Sequence, residues 1–122
     1  MSLKILAVDD SRTMRDMLTL ALTGAGMEVT VAEDGVAGLE VLEEGGPPDA
    51  IISDINMPRL DGFGFIEAVR RIDRFRATPI LVLTTESAPE LKARARGAGA
   101  TGWIVKPFDP QKLVRSIRMV TG

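Results

Sequence analysis

The sequence predicts an α/β fold in which helices cover both faces of an open parallel sheet. Three segments, at residues 4–8, 50–53 and 80–83, are continuous apolar runs without polar alternation. Such runs are typical of central strands in a parallel sheet, which are buried on both sides. Helical patterns separate the apolar segments. This β-α alternation, repeated five times, favours parallel strands joined by right-handed crossovers.

Five strands are predicted from the apolar segments: Leu3–Val8, Glu28–Ala32, Ala50–Ser53, Pro79–Leu83 and Thr101–Val105. Three helices between them follow from capping and periodicity. Ser11 can cap a helix that runs to about Gly24, and Asp34 starts the second. Apolar residues at helical spacing mark the third, with Phe63, Ile66 and Val69 on one face.

Two further helices are predicted from terminal signals. Ser87 and Glu90 form an S-x-x-E pair, which predicts a capping box at the start of the fourth helix. Gly97 and Gly99 end that helix. Asp109-Pro110 starts the fifth, because proline is tolerated at the first helical position.

Composition restricts the chemistry that is available. The 122 residues suit a single domain, residues 1–122, and they include neither cysteine nor histidine. The usual general base at neutral pH is therefore missing, and a metal site must be built from oxygen ligands, which favours Mg²⁺. No apolar run approaches the roughly 18 residues of a membrane span. We expect a cytoplasmic protein without membrane contact.

Reactive side chains follow four of the predicted strands, at the edge where open α/β sheets bind ligands. They are Asp9, Asp10, Asp54, Thr84, Thr85, Lys106 and Pro107. Clustered carboxylates repel one another, and a divalent cation relieves that repulsion. A carboxylate can also act as the nucleophile in phosphoryl transfer, which needs positioning and cationic stabilisation more than a general base. The pattern therefore indicates phosphoryl chemistry on an aspartate.

Each motif alone has an ordinary explanation. Asp9-Asp10 after a strand is commonly a helix-capping turn, and Asp54 could be a turn aspartate. The stretch 97–102 fits G-x-G-x-x-G, but it follows a helix instead of a strand, so we interpret it as a helix stop and not as a dinucleotide site. The combination at four separate strand ends carries the functional hypothesis.

Four motifs resemble those of response-regulator receiver domains of two-component systems, and specifically the stand-alone chemotaxis (CheY-like) type. They are VDDS at Val8–Ser11, SDINMPRLDG at Ser53–Gly62, LTTE at Leu83–Glu86 and GWIVKPF at Gly102–Phe108. The resemblance covers essentially the whole chain. It implies a flavodoxin-like, doubly wound, five-stranded parallel sheet in the order 2-1-3-4-5 with five helices.

The resemblance also implies roles for the acidic residues. Asp54 is expected to be the phosphoacceptor. Asp9 and Asp10 are expected to hold Mg²⁺ together with Asp54 and the backbone carbonyl of Asn56, with Asp10 the more direct ligand and Mn²⁺ an alternative metal. In the family the phosphodonor is a phosphohistidine on a partner histidine kinase, and the receiver catalyses only its own phosphorylation and dephosphorylation.

Switching residues follow from the same resemblance. Thr84 is expected to hydrogen-bond the phosphoryl group and Lys106 to pair with it, with a cis peptide bond before Pro107. Trp103 stands where the family has tyrosine or phenylalanine as a rotating switch. An indole is larger than a phenol ring, and Thr85 is bulkier than the alanine often found at its position. We therefore expect Trp103 to rotate inward only in part, or only when a partner binds.

Partner predictions rest on charge and on the resemblance. Residues 1–58 carry 3 basic and 11 acidic side chains, whereas residues 59–122 carry 12 basic and 6 acidic ones. We expect an acidic protein partner on the face formed by helix four, strand five and helix five, and a monomer without nucleic-acid binding.

The resemblance also implies that Asn56 and Glu86 allow rapid hydrolysis of the phosphoryl group on Asp54. The alternatives are a phosphate-sink or kinase-control receiver, a phosphorylation-independent interaction module and a small-molecule phosphatase.

Overall fold

The computed structural model describes residues 2–122. Its sheet has five parallel strands in the order β2-β1-β3-β4-β5, which confirms the predicted topology. The strands are β1 (Lys4–Val8), β2 (Glu28–Ala32), β3 (Ala50–Ser53), β4 (Ile80–Thr84) and β5 (Gly102–Val105). The second and third match the predicted bounds. The other three each begin one residue later than predicted, and β4 includes Thr84.

Five α-helices connect and follow the strands: α1 (Arg12–Gly24), α2 (Gly35–Glu44), α3 (Gly62–Arg70), α4 (Pro89–Ala98) and α5 (Pro110–Thr121). Side-chain oxygens cap four of them, because the first amides of a helix have no intrahelical acceptor. The capping residues are Ser11, Asp34, Asp61 and Asp109. No helix within residues 2–122 is long and apolar enough to cross a membrane.

The predicted capping box at the start of α4 is wrong. Ala88 is the N-cap residue, and no side chain caps the helix. The amides of Leu91 and Lys92 donate to the carbonyl oxygen of Ala88 instead. Pro89 decides the start, because its fixed φ favours the first helical position and thereby places the cap one residue after Ser87. The helix ends at Ala98, and Gly99 adopts φ 117, as a left-handed C-terminal glycine does.

Two hydrophobic clusters cover the two faces of the sheet. In β1, Ile5 and Ala7 belong to the cluster that includes residues of α1 and α5, whereas Leu6 and Val8 belong to the cluster beneath α2, α3 and α4. Successive side chains of a strand point to opposite faces. The continuous apolar run predicted as a central strand is therefore continuous because both of its faces are buried.

Candidate functional site

Asp9 and Asp54 lie side by side because β1 and β3 are neighbours. Val8 pairs with Ser53 at the ends of the two strands. The hydrogen-bond ladder continues one step further, since the Asp54 amide donates to the carbonyl oxygen of Val8 at 3.0 Å. The Asp9 amide donates to the carbonyl oxygen of Ala32 at the end of β2, also at 3.0 Å. The sheet backbone thus places both aspartates at its carboxyl edge.

Three carboxylates converge at this edge. Each of Asp9, Asp10 and Asp54 offers an oxygen, and these three oxygens lie within 4.8 Å of one another. Asp9 is 1% exposed and Asp54 8% exposed, whereas Asp10 is exposed to solvent. The predicted gathering of these three side chains is therefore present, with two of them buried and the third at the mouth.

Lys106 joins the two buried carboxylates. Its Nζ donates to Asp9 Oδ2 and to Asp54 Oδ2, each at 2.9 Å, and its side chain is 11% exposed. The peptide bond between Lys106 and Pro107 is cis, as the resemblance predicted. Pro107 itself is exposed. The Lys106 ammonium thus pairs with two buried carboxylates, and the carboxylate of Asp10 lies close by.

The pKa shifts at the site follow from this crowding. Burial raises the pKa of Asp9 above its ordinary value; the Asp54 charge adds to that rise, and the Lys106 contact opposes it. Burial alone would lower the pKa of Lys106. Hydrogen bonds to Asp9 and Asp54 outweigh that effect, so the pKa of Lys106 is raised and its ammonium stays charged.

Close backbone packing supports Asp54, and the sequence patterns did not reveal it. The Ile55 amide donates to Asp54 Oδ1, and the Gly62 amide donates to the carbonyl oxygen of Ile55 at 2.8 Å. A Cβ atom at Gly62 would lie 2.2 Å from the carbonyl oxygen of Asp54. Only glycine permits this approach of α3 to the strand end. The D-G pair at residues 61–62 was the available signal for it.

The predicted tuning residues form a connected group at the mouth of the site. Asn56 Nδ2 donates to Glu86 Oε1 at 3.3 Å, and the Glu86 amide donates to Thr84 Oγ1 at 3.3 Å. Thr84 is fully buried at the end of β4. Its hydroxyl accepts that bond and can also donate one. Thr85, the next residue, is exposed.

Trp103 belongs to the same group. Its indole Nε1 donates to the backbone carbonyl oxygen of Glu86 at 3.0 Å. The side chain is half-buried and packs against the cluster beneath α2, α3 and α4. Trp103 is therefore hydrogen-bonded to the loop between β4 and α4, at Glu86, which is two residues after Thr84.

The donor set fits a hard divalent cation. All of its side-chain ligands would be carboxylate oxygens, which Mg²⁺ prefers. The three carboxylate oxygens already lie within 4.8 Å of one another, so one small cation could be shared among them. In the part of the chain that the structure describes, three carboxylates lie close together and only one ammonium, that of Lys106, contacts two of them, so the cluster contains more acidic groups than Lys106 can pair with.

Comparison with known proteins agrees with this geometry. The model of the response regulator receiver domain matches residues 5–118. The chain belongs to the response-regulator receiver family. Among curated receivers, it is 39% identical over 121 residues to chemotaxis protein CheY1 of Helicobacter pylori strain J99, with 98% of each chain covered.

Solved receiver structures have the same fold. Chemotaxis protein CheY4 of Vibrio cholerae is 46% identical with a TM-score of 0.94, and the match covers 98% of this chain and 99% of that chain. The receiver domain of a sensor histidine kinase from Pseudomonas aeruginosa PAO1 is 27% identical with a TM-score of 0.92, over 100% and 99% of the two chains. That structure contains a magnesium ion coordinated in its active site cleft. The present chain is thus a receiver domain homologous to CheY chemotaxis regulators.

Proposed function

We propose that this receiver accepts a phosphoryl group on Asp54 from a partner histidine kinase and thereby switches its affinity for a downstream protein, in chemotaxis. The observation that carries the proposal is the position of Asp54, whose carboxylate lies beside Lys106 and within 4.8 Å of two further carboxylates. No other group of three potential metal-ligating acids occurs within residues 2–122.

Asp9, Asp10, Asp54 and the backbone carbonyl of Asn56 would hold Mg²⁺, for which Mn²⁺ could substitute. When bound, the cation neutralises the clustered carboxylates and the charge on the transferring phosphoryl oxygens. The similarity to a receiver solved with magnesium supports this assignment. The all-oxygen donor set excludes the soft ligands that would favour other metals.

The phosphoryl transfer needs no base from the protein. Asp54 Oδ2, which faces Lys106, forms a bond to phosphorus while the nitrogen–phosphorus bond of the donor phosphohistidine breaks. The electron pair leaves with the imidazole nitrogen. Lys106 stabilises the charge that develops on the phosphoryl oxygens, and its raised pKa keeps the ammonium protonated throughout.

The switch follows from contacts beside Asp54. Once Asp54 is phosphorylated, the Thr84 hydroxyl donates to a phosphoryl oxygen. The Glu86 amide donates a hydrogen bond to Thr84, and the Glu86 carbonyl oxygen accepts one from Trp103. Movement of the Thr84 side chain therefore shifts Glu86 and, through it, Trp103. Exposed Thr85 moves with the same loop. The bond that already attaches Trp103 to Glu86 supports a change of partial amplitude in the indole.

Hydrolysis of the phosphoryl group depends on the approach of water. The Asn56–Glu86 hydrogen bond of 3.3 Å is long for a strong contact and lies at the exposed mouth. We therefore expect a short-lived phosphoryl state. A half-life of many hours for the purified phosphoprotein would contradict this expectation.

The output surface is proposed to be the face of α4, β5 and α5. Its exposed basic residues suit an acidic protein partner better than a nucleic acid, since the overall pI is about 5.2. The exposed basic residues of α4 and α5 are Lys92, Arg94, Arg96, Lys112, Arg115 and Arg118. Lys92 and Arg96 lie beside Trp103 of β5, whereas Arg94 lies over the Phe63 ring of α3 and Arg118 donates to the carbonyl oxygen of Ala25 after α1. We propose that the protein acts as a cytoplasmic monomer formed by one domain over residues 1–122.

The decisive experiment is activation with beryllofluoride and Mg²⁺, followed by Trp103 fluorescence. We expect a saturable change in the wild-type protein and no change in Asp54→Asn. Asp73→Asn, which removes an exposed carboxylate far from the site in sequence, is the matched control and should respond as wild type. Unchanged partner binding in Asp54→Asn would instead favour the phosphorylation-independent interaction module.

A further inference from the structure

Arg59 lies in the loop between β3 and α3, three residues after Asn56, and its side chain reaches the start of α2. Its Nε donates to Asp34 Oδ2 at 2.7 Å and its Nη2 to Asp34 Oδ1 at 3.1 Å. Asp34 is 3% exposed, and its Oδ1 also accepts from the Ala37 amide. This bidentate contact restrains direction as well as distance, which a single charge contact does not.

The backbone beside Arg59 makes a second contact with the same helix end. The Gly35 amide donates to the carbonyl oxygen of Leu60 at 3.2 Å, and a Cβ atom at Gly35 would lie 2.7 Å from that oxygen. Arg59 itself has φ 65, a left-handed conformation that non-glycine residues seldom adopt. The loop is thus held in an uncommon conformation by two contacts to α2.

The segment that receives these contacts also contacts the acidic cluster. The carbonyl oxygen of Ala32, two residues before Asp34, accepts from the Asp9 amide at 3.0 Å. Residues 32–35 therefore touch Asp9 on one side and the Asn56 loop on the other. This short segment therefore connects the backbone of Asp9 with the loop that contains Asn56 and Arg59.

We infer that Arg59 is a positioning residue for the cation site: its ion pair with Asp34 holds the loop so that the backbone carbonyl of Asn56 faces the carboxylates. The inference rests on the proposed function. It assigns Arg59 a role in metal affinity beyond the small contribution to stability that an ion pair with one exposed partner makes, since 53% of the Arg59 side chain is exposed.

The chain contains a matched control for this ion pair. Arg76 Nη2 lies 3.1 Å from Asp73 Oδ1, and both side chains are largely exposed, at 73% and 87%. This second pair also joins an arginine to an aspartate, but through a single contact between close neighbours around a 3-10 helix at Asp73–Phe75. Removing it changes the net charge equally without touching the Asn56 loop.

The test is the Mg²⁺ dissociation constant, measured by calorimetry, for the full chain carrying Arg59→Asn. Asparagine tolerates positive φ better than most residues, so backbone strain is not introduced with the loss of charge. We expect affinity to fall roughly three- to tenfold, below the 10–100-fold effect of groups that directly contact a metal ligand. Arg59→Lys should be intermediate, and Arg76→Asn should bind Mg²⁺ as wild type does.

Two outcomes would overturn the inference: wild-type affinity in Arg59→Asn, or an equal loss in Arg76→Asn. Lower thermal stability of Arg59→Asn with unchanged Mg²⁺ affinity would show a purely structural role and overturn it as well. Arg59→Lys keeps the test decisive if Arg59→Asn does not fold. A wild-type protein that binds no Mg²⁺ would instead contradict the proposed function, so the two failures are distinguishable.

Discussion

Two regions at the carboxyl edge of the sheet contain buried aspartates beside a cationic side chain. Asp34, between β2 and α2, is the one carboxylate among residues 2–122 that Arg59 contacts, and it also caps α2. Asp9 and Asp54, after β1 and β3, share Lys106 and lie close to Asp10. The pKa of Asp34 is lowered, chiefly by the Arg59 hydrogen bond, whereas burial raises the pKa of Asp9.

The difference lies in how many carboxylates of the described chain each cation contacts: Arg59 contacts one, whereas Lys106 contacts two and a third lies close by. Where hydrogen-bond donors satisfy the carboxylate oxygens, as at Asp34, the ionised form stabilises the fold without a bound cation. Where carboxylates outnumber cations, a bound divalent cation can offset the excess negative charge. Four changes should separate the two regions, with progressively smaller effects on stability.

Lys106→Met should have the largest effect. It leaves Asp9 and Asp54 buried beside each other without a cation, and breaking a buried pair in this way costs about 3 kcal/mol. The free energy of unfolding, measured with urea in the presence of a chelator, should fall by that order. Added Mg²⁺ should recover much of the loss. If the loss persists unchanged with Mg²⁺, the cation does not bind at these carboxylates.

Asp34→Ala should destabilise the protein less, by about 1 kcal/mol, the usual effect of losing an N-cap side chain. Arg59 has an exposed side chain and is left solvated, so no unpaired buried charge remains. The same urea titration, with and without Mg²⁺, measures the effect. Asp34→Asn retains a capping oxygen and should lie between alanine and wild type.

Acid should affect the Asp34 region in a defined direction. Because the folded-state pKa of Asp34 lies below its ordinary value of 3.8, the unfolded chain binds the proton more readily. The stabilisation by ionised Asp34 is therefore full above about pH 4 and is lost as the pH falls through the folded-state pKa. The stability difference between wild type and Asp34→Asn, followed from pH 5 downward, should shrink. A stability difference that does not change with pH would contradict the lowered pKa of Asp34.

Asp10→Asn should have the smallest effect on stability. Asp10 is exposed, so the change in free energy of unfolding without metal should stay within about 0.5 kcal/mol. The affinity of the Asp10→Asn protein for Mg²⁺ should nonetheless fall at least tenfold, since a proposed ligand is removed. Calorimetry on the variant and on Asp16→Asn, an exposed carboxylate of α1, measures this difference. Equal affinities would remove Asp10 from the site.

The local elements of the fold were predictable from the sequence. Ser11, Asp34 and Asp109 cap the helices they were predicted to start, because a cap involves only amides two or three residues away. The continuous apolar runs identified the central strands, since burial on both faces leaves no polar position. The predicted cap that was wrong, at Ser87, involved two local signals in competition, and the preference of Pro89 for the first helical turn prevailed.

The reactive residues after the strands were also predictable, because the ends of parallel strands meet at one edge regardless of side-chain detail. The pairing among them was not. Lys106 contacts Asp9 and Asp54 across 97 and 52 residues, and Arg59 contacts Asp34 across 25. Such contacts depend on strand order and on the conformation of loops, to which short-range propensity does not respond. The sequence alone determined which groups stand at the edge of the sheet; the tertiary structure decided which carboxylate contacts which cationic side chain, because those contacts join residues far apart in the chain.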